Sequence, residues 1–380
     1  MFKKILSVIT LVLVVFIAWK AFTASAGVAV TPELAENYPI ATRFTAEVEG
    51  RQYLSFLGAT FYALKNINIG VLLLLIPEQI LMYYAAGQIY FAFLRQRRGF
   101  KLSQAKLTRI SLEINFVNHA LPSGGASGLA YLIWRLKDLD VSAGQISFIH
   151  VLRYGICALA NTIQTFIAVA IVLMAGTTLE NGYWALLLAV VIALGIQGII
   201  VLAWAIVRKQ KRVDWLSEKA TSFVNKLVRS LTKGRKRKFL KDDSVARFFG
   251  DLRRDYLTLM RNKRILVKPV IWGAFYSFLE LATYWVVACA LGHPEILPQI
   301  MIAEGIASVV GTVMVTPGGM GGYEAAMVAV MVATGVDLST ATITVVVTRV
   351  FVLVGTILSG YGFYQQALMS RKDKFRAPKD

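Results

Sequence analysis

Seven charged residues stand inside long apolar stretches of this chain: Glu78, Glu113, Arg153, Glu280, Glu304, Glu324 and Arg349. An arginine can grip a phosphate through two parallel hydrogen bonds, and a carboxylate can balance that charge or hold an amine. These residue types therefore suit binding of a charged headgroup. Covalent chemistry has no comparable set. Cys157 and Cys289 lie in apolar segments, and His119, His150 and His293 are scattered, so no metal or redox spacing results. The glycines and serines near Pro122 form no nucleophile–base pair, and no phosphate-binding loop of the Walker type exists. No cofactor is expected, and no catalytic residue is assigned.

Depth gives these charges their meaning. Arg153 lies ten residues into its apolar segment and Arg349 about as far into its own, which is about 15 Å at 1.5 Å per residue, near the middle of a bilayer. A charge there costs about 2.5–3.5 kcal/mol on the lenient insertion scale, so all seven facing lipid would cost on the order of 20 kcal/mol. They must turn inward and pair, or line water. Glu113 is the weakest candidate, because Arg109 lies one helical turn earlier. Asn115, Asn118, Asn161 and Gln164 suit hydrogen bonding between helices. Arg135 and Lys137 read as side chains that reach the interface.

A span needs about 20 apolar residues. Ile5 to Phe22, Ile67 to Leu94, Ala143 to Ala175, Tyr183 to Val207, Leu266 to Leu291 and Ser339 to Leu368 meet that length. Four shorter arms lie between them. Leu102 to Leu121 and Ser127 to Leu136 flank Pro122, Gly124 and Gly125, while Leu297 to Val315 and Tyr323 to Thr334 flank Pro317, Gly318 and Gly319. Breaks at membrane depth free backbone groups that lipid cannot satisfy, so such segments belong in a protein-lined cavity. Counting from each proline gives a glutamate upstream, a Val-Ser or Leu-Ser step downstream, and then Arg153 or Arg349. Paired interruptions of this kind mark the inverted repeats of secondary transporters. The expected fold is an all-α polytopic membrane protein of about six full spans and two re-entrant hairpins.

Charge sets the expected orientation, because Lys3 and Lys4, Arg95 to Arg98, Arg208 to Arg264 and the tail from Arg371 are basic and should be cytoplasmic. Both termini are then cytoplasmic, in the inner membrane. The domain reading is an N-terminal helix or signal anchor over 1–26, with Ala24-Ser25-Ala26 as a candidate cleavage site, and an exterior segment over 27–66. Membrane repeats follow over 67–207 and 266–368, joined by a basic amphipathic linker over 208–265 and closed by a basic tail over 369–380. Within the linker, Asp214 to Lys233 reads as an interfacial helix.

The 380 residues are 56% hydrophobic with 17% charged, which excludes an ordinary soluble domain. The net charge of +19 is clustered beside spans, so anionic lipid explains it and nucleic acid is not an expected partner.

PSGGASGLAYLIWRL with Arg153-Tyr154, and TPGGMGGYEAAMVAVMVATGV with Arg349, resemble the lysylphosphatidylglycerol synthase transmembrane region, a flippase-like family, over roughly Ile67 to Leu368. The resemblance implies movement of an anionic or aminoacylated phospholipid between leaflets, with the lipid and the membrane as partners. The residues themselves, by depth, charge and the two breaks, mark a substrate site from Glu78, Pro122, Gly124, Gly125, Arg153, Glu280, Glu304, Pro317, Gly318, Gly319, Glu324 and Arg349. Many relatives carry P-x-R-x-G-E in the first repeat; Pro122 here is followed by Ser-Gly-Gly-Ala-Ser-Gly, which weakens that repeat's role. A half-helix starting at either glycine cluster would offer N–H groups and a positive dipole end to phosphate. The stretch after Leu368 holds a dozen mostly charged residues, so the lysyltransferase activity in the family name is not expected. The alternatives are a non-catalytic membrane partner of a lipid-modifying enzyme or envelope glycosyltransferase on another chain, and a membrane component of a phosphatidylglycerol lysyltransferase.

Overall fold

A computed structural model of the chain describes residues 25–55, 58–59, 61–62, 65, 67–98, 103–121, 126–137, 141–174, 183–231, 242–313 and 321–374. The expected span Ile5 to Phe22 lies outside them, as do Pro122, Gly124, Gly125, Pro317, Gly318 and Gly319. Besides two short helical turns, Pro32–Asn37 and Ile69–Leu72, twelve longer helices organise the described residues: α1 (Leu75–Arg98), α2 (Gln104–Ala120), α3 (Ala126–Leu136), α4 (Ala143–Met174), α5 (Tyr183–Arg208), α6 (Gln210–Leu231), α7 (Asp242–Arg261), α8 (Val267–Ala290), α9 (Leu297–Val313), α10 (Gly322–Ala333), α11 (Leu338–Thr356) and α12 (Gly362–Lys374).

Five stretches are long and apolar enough to cross a membrane: Ile69–Ala92, Ala143–Met174, Tyr183–Arg208, Lys263–Ala290 and Leu338–Met369. They agree with five of the expected spans to within a few residues. The last contains α11, a π-helical turn at Ile357–Tyr361, and the start of α12. The four short arms are also found, as α2, α3, α9 and α10.

Helix boundaries follow from caps. Ser142 and Gln145 satisfy each other's backbone N–H groups at the start of α4, at 3.1 and 3.2 Å, so the Val-Ser step of the sequence is a helix start. Its counterpart at α11 is Asp337, whose carboxylate accepts the Thr340 N–H at 2.9 Å; Ser339 is the second residue of the helix. The hydrogen bonds to Asp337, first among them that from the Thr340 side chain, hold its carboxyl below the ordinary aspartate range.

The two halves interlock. α1 packs along α8, and the arms α2–α3 and α9–α10 each pack as a pair. Arm α9 lies against the long span α4, where a Cβ on Gly305 would sit 2.5 Å from Thr165 Oγ1. Arm α2 lies reciprocally against the π-turn below α11, where a Cβ on Gly360 would meet Phe116 Cβ at 2.6 Å and the Leu112 carbonyl at 2.9 Å. Such close approach is what small residues permit between helices in lipid, where van der Waals contact rather than the hydrophobic effect holds helices together. One apolar cluster joins α4, α5, α8, α9, α10 and α11 around Ile300, Ala307 and Met327; a second joins α1, α2, α3, α4 and α7 around Phe91, Phe116 and Leu132.

Two features were not legible in the chain. The segment before α1 contains an antiparallel sheet, β1 (Ser25–Ala29), β2 (Thr45–Val48) and β3 (Arg51–Ser55), in the order β1-β3-β2. β2 and β3 are joined at Glu49 and Gly50, both at positive φ, the backbone that a two-residue hairpin turn requires. The basic linker is a helix pair: α6 replaces the expected 214–233 helix with an earlier start, and α7 follows the stretch 232–241, which lies outside the described residues. α7 packs on α4 and α6.

Candidate functional site

Glu324 stands in the first turn of α10 and binds in two directions. Its Oε2 accepts the Gly321 N–H at 2.7 Å, which caps the half-helix. Its Oε1 accepts Arg349 Nε from α11. Cap and ion pair are thus one carboxylate. The Arg349 guanidinium also lies 4.3 Å from the centroid of Tyr323, a cation–π contact, and Tyr323 stacks on Tyr284 of α8 at 6.4 Å.

Arg153 on α4 is held differently. Its Nη1 donates to Tyr90 Oη at 3.2 Å, and its guanidinium lies 5.0 Å from Tyr276, 5.1 Å from Tyr90 and 5.6 Å from Tyr154 ring centroids. Its buried Nε has no hydrogen-bond partner, and no carboxylate oxygen among the described residues comes within ion-pair distance. Of the four aromatic contacts that the two arginines make, three were not legible in the sequence, because Tyr90, Tyr276 and Tyr323 sit on other elements. Only Tyr154, beside Arg153, was visible.

The carboxylates meet in the middle. Glu280 on α8 is in electrostatic range of both Arg153 and Arg349, so it links the charges of the two halves. Glu304 on α9, 3% exposed, lies in electrostatic range of Glu280. Glu78 on α1 accepts from Thr283 at 3.2 Å and from Gln79 at 3.0 Å, and feels Glu280. His119, at the end of α2, reaches Arg349 and Glu324. Six of the expected residues, Glu78, Arg153, Glu280, Glu304, Glu324 and Arg349, therefore lie within electrostatic range of one another as a buried to half-buried charge network across both halves, with Arg349–Glu324 as its ion pair.

Glu113 stands apart. It is fully buried and accepts from Arg109 Nε at 2.9 Å, Arg135 Nε at 2.9 Å and Tyr131 Oη at 2.8 Å. Arg135 is thereby corrected from an interface side chain to a tie between α2 and α3. The cause is the return of α3 along α2, which brings its last turn over Glu113. Asn118 caps the start of α3 by accepting the Gly128 N–H at 2.8 Å, and Asn115 bridges Tyr83 and Thr356 at 2.9 and 3.0 Å just before the π-turn. The N–H groups of Gly128 and Gly321 thus already have protein partners. Any anion would rely more on the arginines than on the half-helix ends.

The charge network, the paired arms, four of the spans and most of the fifth fall within residues 53–360, which match the family model for the lysylphosphatidylglycerol synthase TM region. The chain belongs to this family. No curated protein and no solved structure matches it. Within this family of lipid-handling membrane regions, the protein places Arg153, whose buried Nε has no hydrogen-bond partner, on the second long span of the matched region.

Proposed function

We propose that the protein moves an anionic or aminoacylated phospholipid between leaflets of the cytoplasmic membrane, without catalysing its synthesis. Arg153 carries this reading. A cation placed at mid-span without an ion-pairing carboxylate is costly in lipid unless an anion or water completes it, and a lipid phosphate supplies that anion. Glu280, in electrostatic range of Arg153, and Glu304, in range of Glu280, suit an amine on the same headgroup. Arg349, held by Glu324, is the second grip.

The reciprocal packing of α9 on α4 and of α2 on the π-turn supports an inverted repeat, in which one half rocks against the other about a fixed site. In this reading each arm pair is a re-entrant hairpin, the first from the cytoplasm and the second from outside, with both termini cytoplasmic. No nucleotide site contributes energy, so movement is passive or driven by proton or membrane potential. The test is reconstitution into vesicles containing a fluorescent phospholipid, followed by dithionite quenching. Faster quenching than in empty vesicles is expected, and a rate equal to that of empty vesicles across phosphatidylglycerol and aminoacylated headgroups overturns the proposal.

A further inference from the structure

The sheet ahead of α1 has two chemically different faces. Paired residues on neighbouring antiparallel strands point the same way, and successive residues alternate. The register Thr45 with Leu54 and Glu47 with Gln52 defines one face; Ala46 with Tyr53 and Val48 with Arg51 defines the other. On the first face Leu54 is wholly buried and packs with Val346 and Val350 of α11, while the rest is polar. The second face, looking away from α11, is apolar apart from Arg51. Phe44, whose carbonyl accepts the Ser55 N–H at 2.8 Å, extends it and stacks on Phe61 at 5.4 Å. Phe44, Phe61 and Val48 remain 36%, 38% and 43% exposed. The four acidic residues of this segment, Glu33, Glu36, Glu47 and Glu49, all lie off this face.

We propose that this outer face docks on the lipid leaflet at the Asn68 end of the bundle, with Phe44, Phe61 and Val48 at the headgroup–acyl boundary and Arg51 at phosphate level. Continuity with the lipid-facing surface identifies the occupant. The Asn68 N–H bonds the Ala290 carbonyl at 2.8 Å, which ties the segment to the end of α8. Ile69, Leu73 and Leu74, next in the chain, are exposed at the start of a candidate span and so face lipid. The patch therefore runs into surface that the bilayer already covers. Aromatic side chains with a neighbouring arginine are the usual occupants of that boundary. Depth is also bounded, because β1 and β2 are the edge strands among the described residues and an open edge cannot enter hydrocarbon; the sheet lies at headgroup level. β1 and β2 precede the residues matched by the family, while β3 from Tyr53 onward and Phe61 lie within them.

The test places the photo-crosslinker p-benzoylphenylalanine at position 44, 47 or 48 of the full chain, reconstituted in phosphatidylethanolamine–phosphatidylglycerol vesicles with clickable acyl chains. Positions 44 and 48 should give lipid adducts several-fold above position 47, which lies on the opposite face. Equal yields at the three positions, adducts with a second copy of the chain, or no adduct at 44 and 48 in protein that elutes as the wild type does would each overturn the proposal. The two outer-face positions test it separately, so a variant that does not fold leaves the other to decide.

Discussion

Glu324 and Arg349 are joined across two helices of the second half, and the same carboxylate caps α10 through Gly321. Arg153, its counterpart in the first half, has aromatic rings where Arg349 has a carboxylate. The two arginines should therefore fail differently. Arg349→Ala strands a buried carboxylate, which costs about 3–5 kcal/mol, and should lower the thermal unfolding midpoint in detergent as well as lipid movement. Glu324→Gln keeps an acceptor for the Gly321 N–H and should be milder in stability. An Arg349→Ala protein as stable as wild type would show that the pair does not hold α10 to α11.

Glu113 should behave as a structural residue. Glu113→Ala leaves Arg109, Arg135 and Tyr131 without their shared acceptor, and a loss of about 3 kcal/mol or more is expected for a broken buried pair. Arg135→Met with Glu113→Leu should recover part of it. Detergent thermal unfolding reads both, and the ratio of transport rates between headgroups should not change in any protein that folds.

The interlock of the halves rests on two glycines. Gly360→Val would put its side chain onto Phe116 and the Leu112 carbonyl, and overpacking of this kind costs about 1–3 kcal/mol. Gly305→Val should do the same through Thr165, although Thr165 can turn its hydroxyl aside. Unfolding midpoints that fall for Gly360→Val but not for Gly355→Val, where open space surrounds the glycine, would support the packing.

Asp337 gives a pH prediction with a definite sign. Its carboxyl is held below the usual range by its hydrogen bonds to Thr340, so the stability it adds is fully present above the unfolded aspartate value, about 3.9, and fades as pH falls through the lower folded value. Asp337→Ala should cost about 1 kcal/mol at neutral pH, typical of a lost helix cap, and the gap from wild type should close in strongly acid buffer. Thermal unfolding against pH measures this.

Sidedness has its own check. Cysteine placed at Ala333, at the end of α10, should react with an impermeant maleimide from outside the cell, and cysteine at Lys137, after α3, only from the cytoplasm. The reverse at either position ends the re-entrant arrangement.

Much of the architecture was legible because apolar length and charge are strong signals in a membrane chain. Five spans and all four short arms appear where apolar runs end at caps such as Ser142. The buried carboxylates were visible for the same reason, since Glu280 or Glu304 in an apolar run has few explanations. Their partners were not, because Tyr276 and Tyr90 approach Arg153 from other helices and leave no spacing in sequence. Arg135 was misread since its tie to Glu113 depends on how α3 folds back. The sheet was missed because β2 and β3 are four and five residues long, too short for a period of two to stand out, although Glu49-Gly50 was a turn signal. α7 was hidden by charge, since its arginines dominate its composition.

Arg153→Ala decides the central claim. Glu280 keeps Arg349 in electrostatic range after the loss of Arg153, so the variant should unfold near the wild-type temperature in detergent while dithionite quenching of an anionic phospholipid in proteoliposomes falls to the rate of empty vesicles. Quenching at the wild-type rate by folded Arg153→Ala protein would contradict the account.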